Sequence, residues 1–223
     1  MCIRDRYMIN RTLIRIKATQ LLFAYYLNSG KNTDNEGLNT LEERERYILA
    51  EKELLFSLSK AYDLYNYMLW LIVSVTRYAI QDVENKERMN SIAHIDTPVS
   101  HRFIDNEFAA QLESNTSLSE YVSEKKISWN NEIAYIKKLY GDIVQSQYYQ
   151  DYMQLATATY ADDREVWRAL YKHIIMKDER IDDILEEQSL YWNDDRTIID
   201  TFVIKTIKKF LSLIHISEPT RLL

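Results

Sequence analysis

Ile9 to Leu27 reads INRTLIRIKATQLLFAYYL and has the pattern of an amphipathic helix. Its apolar side chains recur at three- and four-residue spacing, at Ile14, Ala18, Leu21, Leu22 and Tyr25. Because an α-helix has about 3.6 residues per turn, these positions fall along one stripe. We expect that stripe to face a core, with the other residues in solvent.

The same helix carries cations and no carboxylate. Arg11 and Arg15 are four residues apart, so they lie along one edge of the stripe, and Lys17 lies on its other flank. The whole chain has the opposite balance, with 34 Asp and Glu against 28 Lys and Arg and a formal net charge of −6. A local basic site on an acidic protein predicts an anionic partner for this end of the chain.

Single-stranded RNA is the anionic partner that this helix surface favours. Arg11, Arg15 and Lys17 are candidates for contacts with phosphates, and Asn10 and Gln20 for hydrogen bonds to bases or backbone. Unstacked bases expose edges and faces that a helix surface can read. The alternative is an ordinary basic helix edge whose cations pair with acids elsewhere. A transit peptide or a membrane-surface helix would have a similar composition.

The composition indicates an all-α protein built as a multi-helix bundle. The 223 residues include only 3 Gly and 2 Pro, whereas strand-rich folds need frequent turn residues. The length fits one large or two small domains. The run Leu64 to Val75 is strongly apolar but well short of the roughly 20 residues that cross a bilayer, so we expect a buried helix there.

Periodicity and capping signals divide the chain into further helices. Thr40 and Glu43 form a capping-box pattern that opens a long helix from Leu41 to about Val83, followed by a linker from Glu84 to Ser100. The later helices are expected at Asp105 to Glu113, Ser117 to Lys125, Asn131 to about Tyr152, Asp162 to Met176 and Asp178 to Leu190, with a last one capped by Asp194 or Asp195.

The sequence offers little that would support catalysis, and we expect no enzyme activity, no metal and no cofactor. The acidic pairs, such as Asp162 with Asp163 and Asp194 with Asp195, consist of adjacent helix residues that point about 100° apart, so we interpret them as solvated faces and caps. No histidine has a Glu three residues before it, which excludes the di-iron motif of helical bundles. Three isolated glycines cannot form a phosphate-binding loop.

Several strings of the sequence resemble one bacterial family. Arg15, Ala18, Gln20 and Leu22, followed by Phe23, Tyr25 and Tyr26, are similar to the first helix of NusB, the transcription antitermination factor. The strings AEKELLFSLSKAYDLYNYML (Ala50 to Leu69), YADDREVWRALYK (Tyr160 to Lys172) and EEQSLYWNDDRTIIDTFVIKTIK (Glu186 to Lys208) resemble the enlarged NusB proteins of the Bacteroidetes group. The resemblance extends over most of Met8 to Phe210.

The resemblance implies a cytoplasmic RNA-binding protein of transcription regulation. It implies that the first helix helps to bind boxA-like RNA, with Arg15 matching a family arginine and Arg11 inside its arginine cluster, which Thr12, Leu13 and Ile14 interrupt here. It also implies a partner, NusE of the small ribosomal subunit, and a role on RNA polymerase during transcription of ribosomal RNA operons. The alternative function is a helical scaffold or adaptor that binds only protein.

The two ends of the chain are expected to be derived from a sequencing adapter. Leu211 to Ile216 can be encoded by CTGTCTCTTATACACATC, whose reverse complement, read one base in, encodes Met1 to Arg6. We therefore assign residues 1–7 and 211–223 to adapter-derived tails and expect the NusB core to continue beyond Phe210. Between the tails we predict an N-terminal helical part at 8–84, an inserted helical region at 85–160 and the start of a C-terminal helical part at 161–210.

Overall fold

The computed structural model describes residues 11–29 and 40–210, and within these ranges the chain forms α-helices and no β-strand. This confirms the predicted all-α, multi-helix class. The helices are α1 (Arg11–Ser29), α2 (Thr40–Ile92), α3 (Glu107–Glu113), α4 (Thr116–Lys125), α5 (Ile133–Gln145), α6 (Gln147–Gln154), α7 (Tyr160–His173), α8 (Arg180–Gln188) and α9 (Arg196–Lys209). Asn10 and both proposed adapter tails lie outside the described residues.

Helix α2 is longer than predicted, because it continues through the first half of the expected linker. It ends at Ile92, and His94 then adopts a positive φ of 52°. The stretch from Glu84 to Ile92 lost its apolar periodicity because it is mostly exposed, not because it leaves the helix. It contains no Gly or Pro, so nothing in it breaks the backbone hydrogen bonds.

The helix predicted from Asn131 to Tyr152 is two helices that are separated at Ser146. The backbone of Ser146 is extended, with ψ at 146°, and its hydroxyl accepts a hydrogen bond from the Tyr149 N–H as the N-cap of α6. Serine competes with the helix backbone for hydrogen bonds and so favours caps. A single serine in an otherwise regular pattern was too weak a signal to predict this break.

The chain divides into two compact units, and the described residues of unit 1 are 11–29, 40–64 and Ile184–Ile199. The indole N–H of Trp192 donates to the Lys60 carbonyl oxygen at 2.9 Å. The Phe56 and Tyr191 rings pack edge to face, with their centroids 5.3 Å apart. These contacts join Ile184–Ile199 to the first third of the chain, so residues remote in sequence complete this unit.

The described residues of unit 2 are Tyr65–Asp183 and 200–210, and this unit holds most of the fully buried side chains. The Trp129 ring stacks on Tyr67 at 4.1 Å, and its indole N–H donates to the Tyr67 carbonyl oxygen at 3.0 Å. In α7 the side chains of Val166, Trp167, Leu170 and Tyr171 are buried. The run Leu64 to Val75 is largely buried, as predicted.

One acidic pair in unit 2 does not match the prediction of solvated faces and caps. Asp162 is half-buried and forms a capping box with Thr159 at the start of α7, as expected for such a pair. Asp163 is buried, and it accepts hydrogen bonds from the Tyr152 hydroxyl at 2.6 Å and from the Glu107 N–H at 2.7 Å. The carboxylate thus satisfies a backbone donor in the first turn of α3 and fixes α7 against α3.

None of the described helices combines the length and the apolar character that a membrane span requires.

Candidate functional site

The inward face of α1 is not the stripe that the sequence predicted. Leu13 and Lys17 are buried, and Ala18 and Leu21 are half-buried. Three members of the predicted stripe are exposed instead: Ile14, Leu22 and Tyr25. Apolar residues surround much of this helix, so periodicity alone left its rotation poorly determined, and the buried line is turned by roughly one residue position.

Lys17 lies on the buried line of α1. Its Nζ lies 2.7 Å from Oδ2 of Asp195, and the two side chains are only 5% and 1% exposed. Burial raises the pKa of the Asp195 carboxyl, and the Lys17 ammonium opposes that rise. Lys17 was predicted on a flank of the stripe as a candidate for phosphate contacts, but it is buried. Asp195 was interpreted with Asp194 as a solvated face or a cap; it directly precedes α9, as expected of a cap, but it is buried and not solvated. A buried cation requires a partner, and sequence periodicity does not show one so remote.

The opposite face of α1 is exposed and carries both arginines. Arg11 and Arg15 are exposed, and the positions that continue their line are Thr19, Leu22 and Tyr26, which are exposed too. These five residues follow one another at intervals of three or four, so they form a single surface stripe along the helix. We call this set the arginine stripe. Leu22 was expected in the core. Tyr26 was not among the residues predicted to bind RNA.

Gln20 lies on the other side of the helix from the arginine stripe. It lines a cleft of about 280 Å³ in unit 1, together with Lys17, Leu21, Glu53 and Tyr191. The five residues predicted for RNA binding are therefore separated. Arg11 and Arg15 share the outer face, Lys17 and Gln20 border the cleft, and Asn10 lies outside the described residues.

The arginine stripe combines two kinds of side chain with which proteins bind single-stranded nucleic acids. The guanidinium groups of Arg11 and Arg15 are fixed positive charges with several donors each. The Tyr26 ring is 78% exposed and offers a flat apolar face. Phosphate contacts with arginine and base stacking on aromatic rings are the two sources of affinity for single strands.

Within the described residues no group of three or more His, Cys, Asp and Glu side chains is arranged to hold a metal ion. Comparison of the chain with protein-family models, with curated proteins and with solved structures gives no match.

Proposed function

We propose that the protein is an RNA-binding transcription antitermination factor of the NusB type. In this proposal it is cytoplasmic and non-enzymatic, and together with NusE it binds boxA-like RNA on transcribing RNA polymerase and supports transcription of ribosomal RNA operons. The observation that carries the proposal is the exposed arginine stripe of α1, in which Arg11 and Arg15 lie in line with the exposed Tyr26 ring.

The charge and the chemistry of this stripe favour RNA over other anions. The protein is acidic as a whole, so a general attraction to polyanions does not account for binding, and contact must be local. Phosphates pair with the two guanidinium groups, and a base stacks on Tyr26. Lys17 has no part in the contact, because it is buried in its ion pair with Asp195.

The test uses the double variant Arg11→Ala/Arg15→Ala and a fluorescent single-stranded RNA that contains a boxA-like sequence. Each lost phosphate contact lowers the slope of log K against log salt by about 0.7 for a single strand. We therefore expect weaker binding and a slope reduced by about 1.4. Affinities are measured by fluorescence anisotropy over a salt series.

Lys137→Ala/Lys138→Ala is the matched control, because these two lysines of α5 are also exposed and removing them changes the net charge by the same amount. We expect its affinity and salt slope to equal those of the wild type. If the arginine variant and this control behave alike, the arginine stripe is not the RNA site. Arg11 and Arg15 make no ion pair with the described residues, so their removal leaves the fold intact.

A second candidate function is a helical scaffold that binds only protein. The observation in its favour is the number of large exposed apolar side chains in unit 1, among them Leu22, Phe23, Tyr47, Leu49 and Leu55. Large exposed apolar side chains are groups that a contact with another protein would bury. Absence of RNA binding both alone and with NusE, together with binding of NusE alone, would favour the scaffold.

A further inference from the structure

A second aromatic and cationic surface lies in unit 2 and consists of residues that were not predicted to bind RNA. The Tyr148 ring of α6 stacks on the His173 ring at the end of α7, with centroids 4.9 Å apart and planes 15° apart. Tyr148 is 40% exposed, and His173 is partly exposed. The two rings form a stacked pair that solvent reaches at Tyr148, and we call it the Tyr148–His173 platform.

The charged groups that act on the His173 end of the platform are positive. Lys172 precedes His173 in α7, and Lys177 follows four residues later at the end of a short 3₁₀ helix. Both lysines are exposed, and neither makes an ion pair within the described residues. The pKa of His173 is lowered, first by desolvation and then by the charges of Lys172, Lys177 and Arg168. Arg168 is ion-paired with Glu165, so the two lysines supply the uncompensated charge.

Helix stabilisation explains only part of this arrangement. Cations in the last turn of a helix interact favourably with its dipole, which accounts for Lys172 and for the position of His173. The helix dipole does not account for Lys177, which lies beyond α7. It also does not account for the exposed Tyr148 of another helix, whose ring stacks on the His173 imidazole. An aromatic face beside uncompensated lysines is the combination that binds single-stranded nucleic acid.

We propose that the Tyr148–His173 platform binds single-stranded RNA, with a base stacked on the Tyr148 ring and the neighbouring phosphates paired with Lys172 and Lys177. The proposal does not depend on the arginine stripe or on the identity of the RNA sequence, because stacking on an aromatic ring tolerates every base. It gives a function to α6, which lies in the inserted helical region predicted at 85–160.

The test measures the affinity of the full chain for a fluorescent 12-nucleotide single-stranded RNA and for an oligomer of equal length whose nucleotides are abasic. Tyr148→Leu removes the aromatic face, and Tyr148→Phe retains it. We expect Tyr148→Leu to weaken RNA binding about fivefold or more, and Tyr148→Phe to remain within about twofold of the wild type. On the abasic oligomer all three proteins should bind equally, because no base is present to stack.

The phosphate contacts are tested with Lys172→Gln/Lys177→Gln against Lys137→Gln/Lys138→Gln, which removes the same charge from α5. We expect only the first variant to lower the salt slope, by about 1.4. Binding at the platform itself is followed through the His173 Cε1–H resonance, which should shift on addition of RNA in the wild type. All these substitutions are at exposed or partly exposed positions, and the thermal midpoint of each variant confirms its fold.

The outcomes separate this proposal from the proposed function. If Tyr148→Leu binds RNA as the wild type does while Arg11→Ala/Arg15→Ala loses binding, the platform proposal is overturned and the arginine stripe stands. If Tyr148→Leu loses binding and the arginine variant does not, the platform stands and the α1 site falls. If the wild type binds no single-stranded RNA, both are overturned.

Discussion

At the scale of single residues, the environment of each charged group decides what it can do. Lys17 and Arg15 are two residues apart on one helix, yet Lys17 is buried against Asp195 and Arg15 is in solvent. Sequence reasoning identified the cations of α1 but not this division. The reason is physical, since the partner that compensates a buried charge belongs to a distant part of the chain and leaves no local pattern.

His101 gives a prediction at this scale. Its Nε2 lies 2.6 Å from Glu87 Oε1, and this hydrogen bond is the main cause that raises the pKa of His101. A raised pKa means that the stabilisation is complete below the unfolded pKa of about 6.5 and is lost as the pH rises through the folded value. We expect Glu87→Gln to lower the pKa of His101, measured by NMR titration of its Cε1–H. Glu84→Gln, three residues earlier in α2, is the control and should leave it unchanged.

The buried ion pair gives a second prediction. Breaking such a pair by removing one partner typically costs about 3–5 kcal/mol, because a buried charge remains uncompensated. We expect Lys17→Met to lower the free energy of unfolding by about this amount at pH 7. The loss should shrink in acid, because the pKa of Asp195 is raised and its protonated form needs no cation.

The measurement is urea unfolding of Lys17→Met at pH 7 and at pH 4. Lys17→Met/Asp195→Leu is the companion variant and should recover most of the stability, because it removes both buried charges together. An equal loss in the single and the double variant would mean that packing of the lysine stem, not its charge, stabilises this unit.

At the scale of helices, the sequence pattern predicted which helices exist better than it predicted where they end. The residues at the ends of α3, α4 and α7 were predicted to within a few positions. The capping box of Thr159 with Asp162, which begins α7 at Tyr160, was not part of that prediction. The end of α2 was missed, since an exposed charged helix and a polar linker share the same composition. The break at Ser146 was missed because one serine is compatible with either a cap or an exposed helix position.

The cap at Ser146 can be tested directly. Its hydroxyl accepts from the Tyr149 N–H in the first turn of α6, and loss of an N-cap of this kind typically costs about 1 kcal/mol. We expect Ser146→Ala to lower the free energy of unfolding by about that amount in urea titrations. Ser123→Ala, at an exposed position inside α4, should be neutral or slightly stabilising because alanine is the better helix former. If both variants are neutral, the Ser146 hydroxyl does not stabilise the break.

At the scale of the whole molecule, the two units differ in how far their apolar side chains are buried. Unit 2 contains the fully buried residues of α5 and α7, such as Leu139 and Trp167. Unit 1 exposes many apolar side chains, among them Leu22, Phe23 and Leu49. The all-α class was predictable from composition, but the division was not, because each unit is completed by segments remote in sequence.

Hydrogen exchange should reveal this difference. Amides open with free energies that depend on the density of packing around them. We therefore expect the slowest exchange in Ile136–Ile143 and Val166–Tyr171, and much faster exchange throughout α1, when the intact protein is followed by mass spectrometry after proteolysis. Equal protection in α1 and α7 would show that unit 1 is as firmly held as unit 2.

The ion pair between Lys17 and Asp195 also has a consequence for the order of events during synthesis. A ribosome adds about 5–20 residues per second, so α1 leaves the exit tunnel many seconds before Asp195 is made. During that interval Lys17 has no carboxylate to neutralise it, and the helix displays three cations where the finished protein displays two. The nascent chain is thus more basic at its first helix than the mature protein until Asp195 has been made and can pair with Lys17.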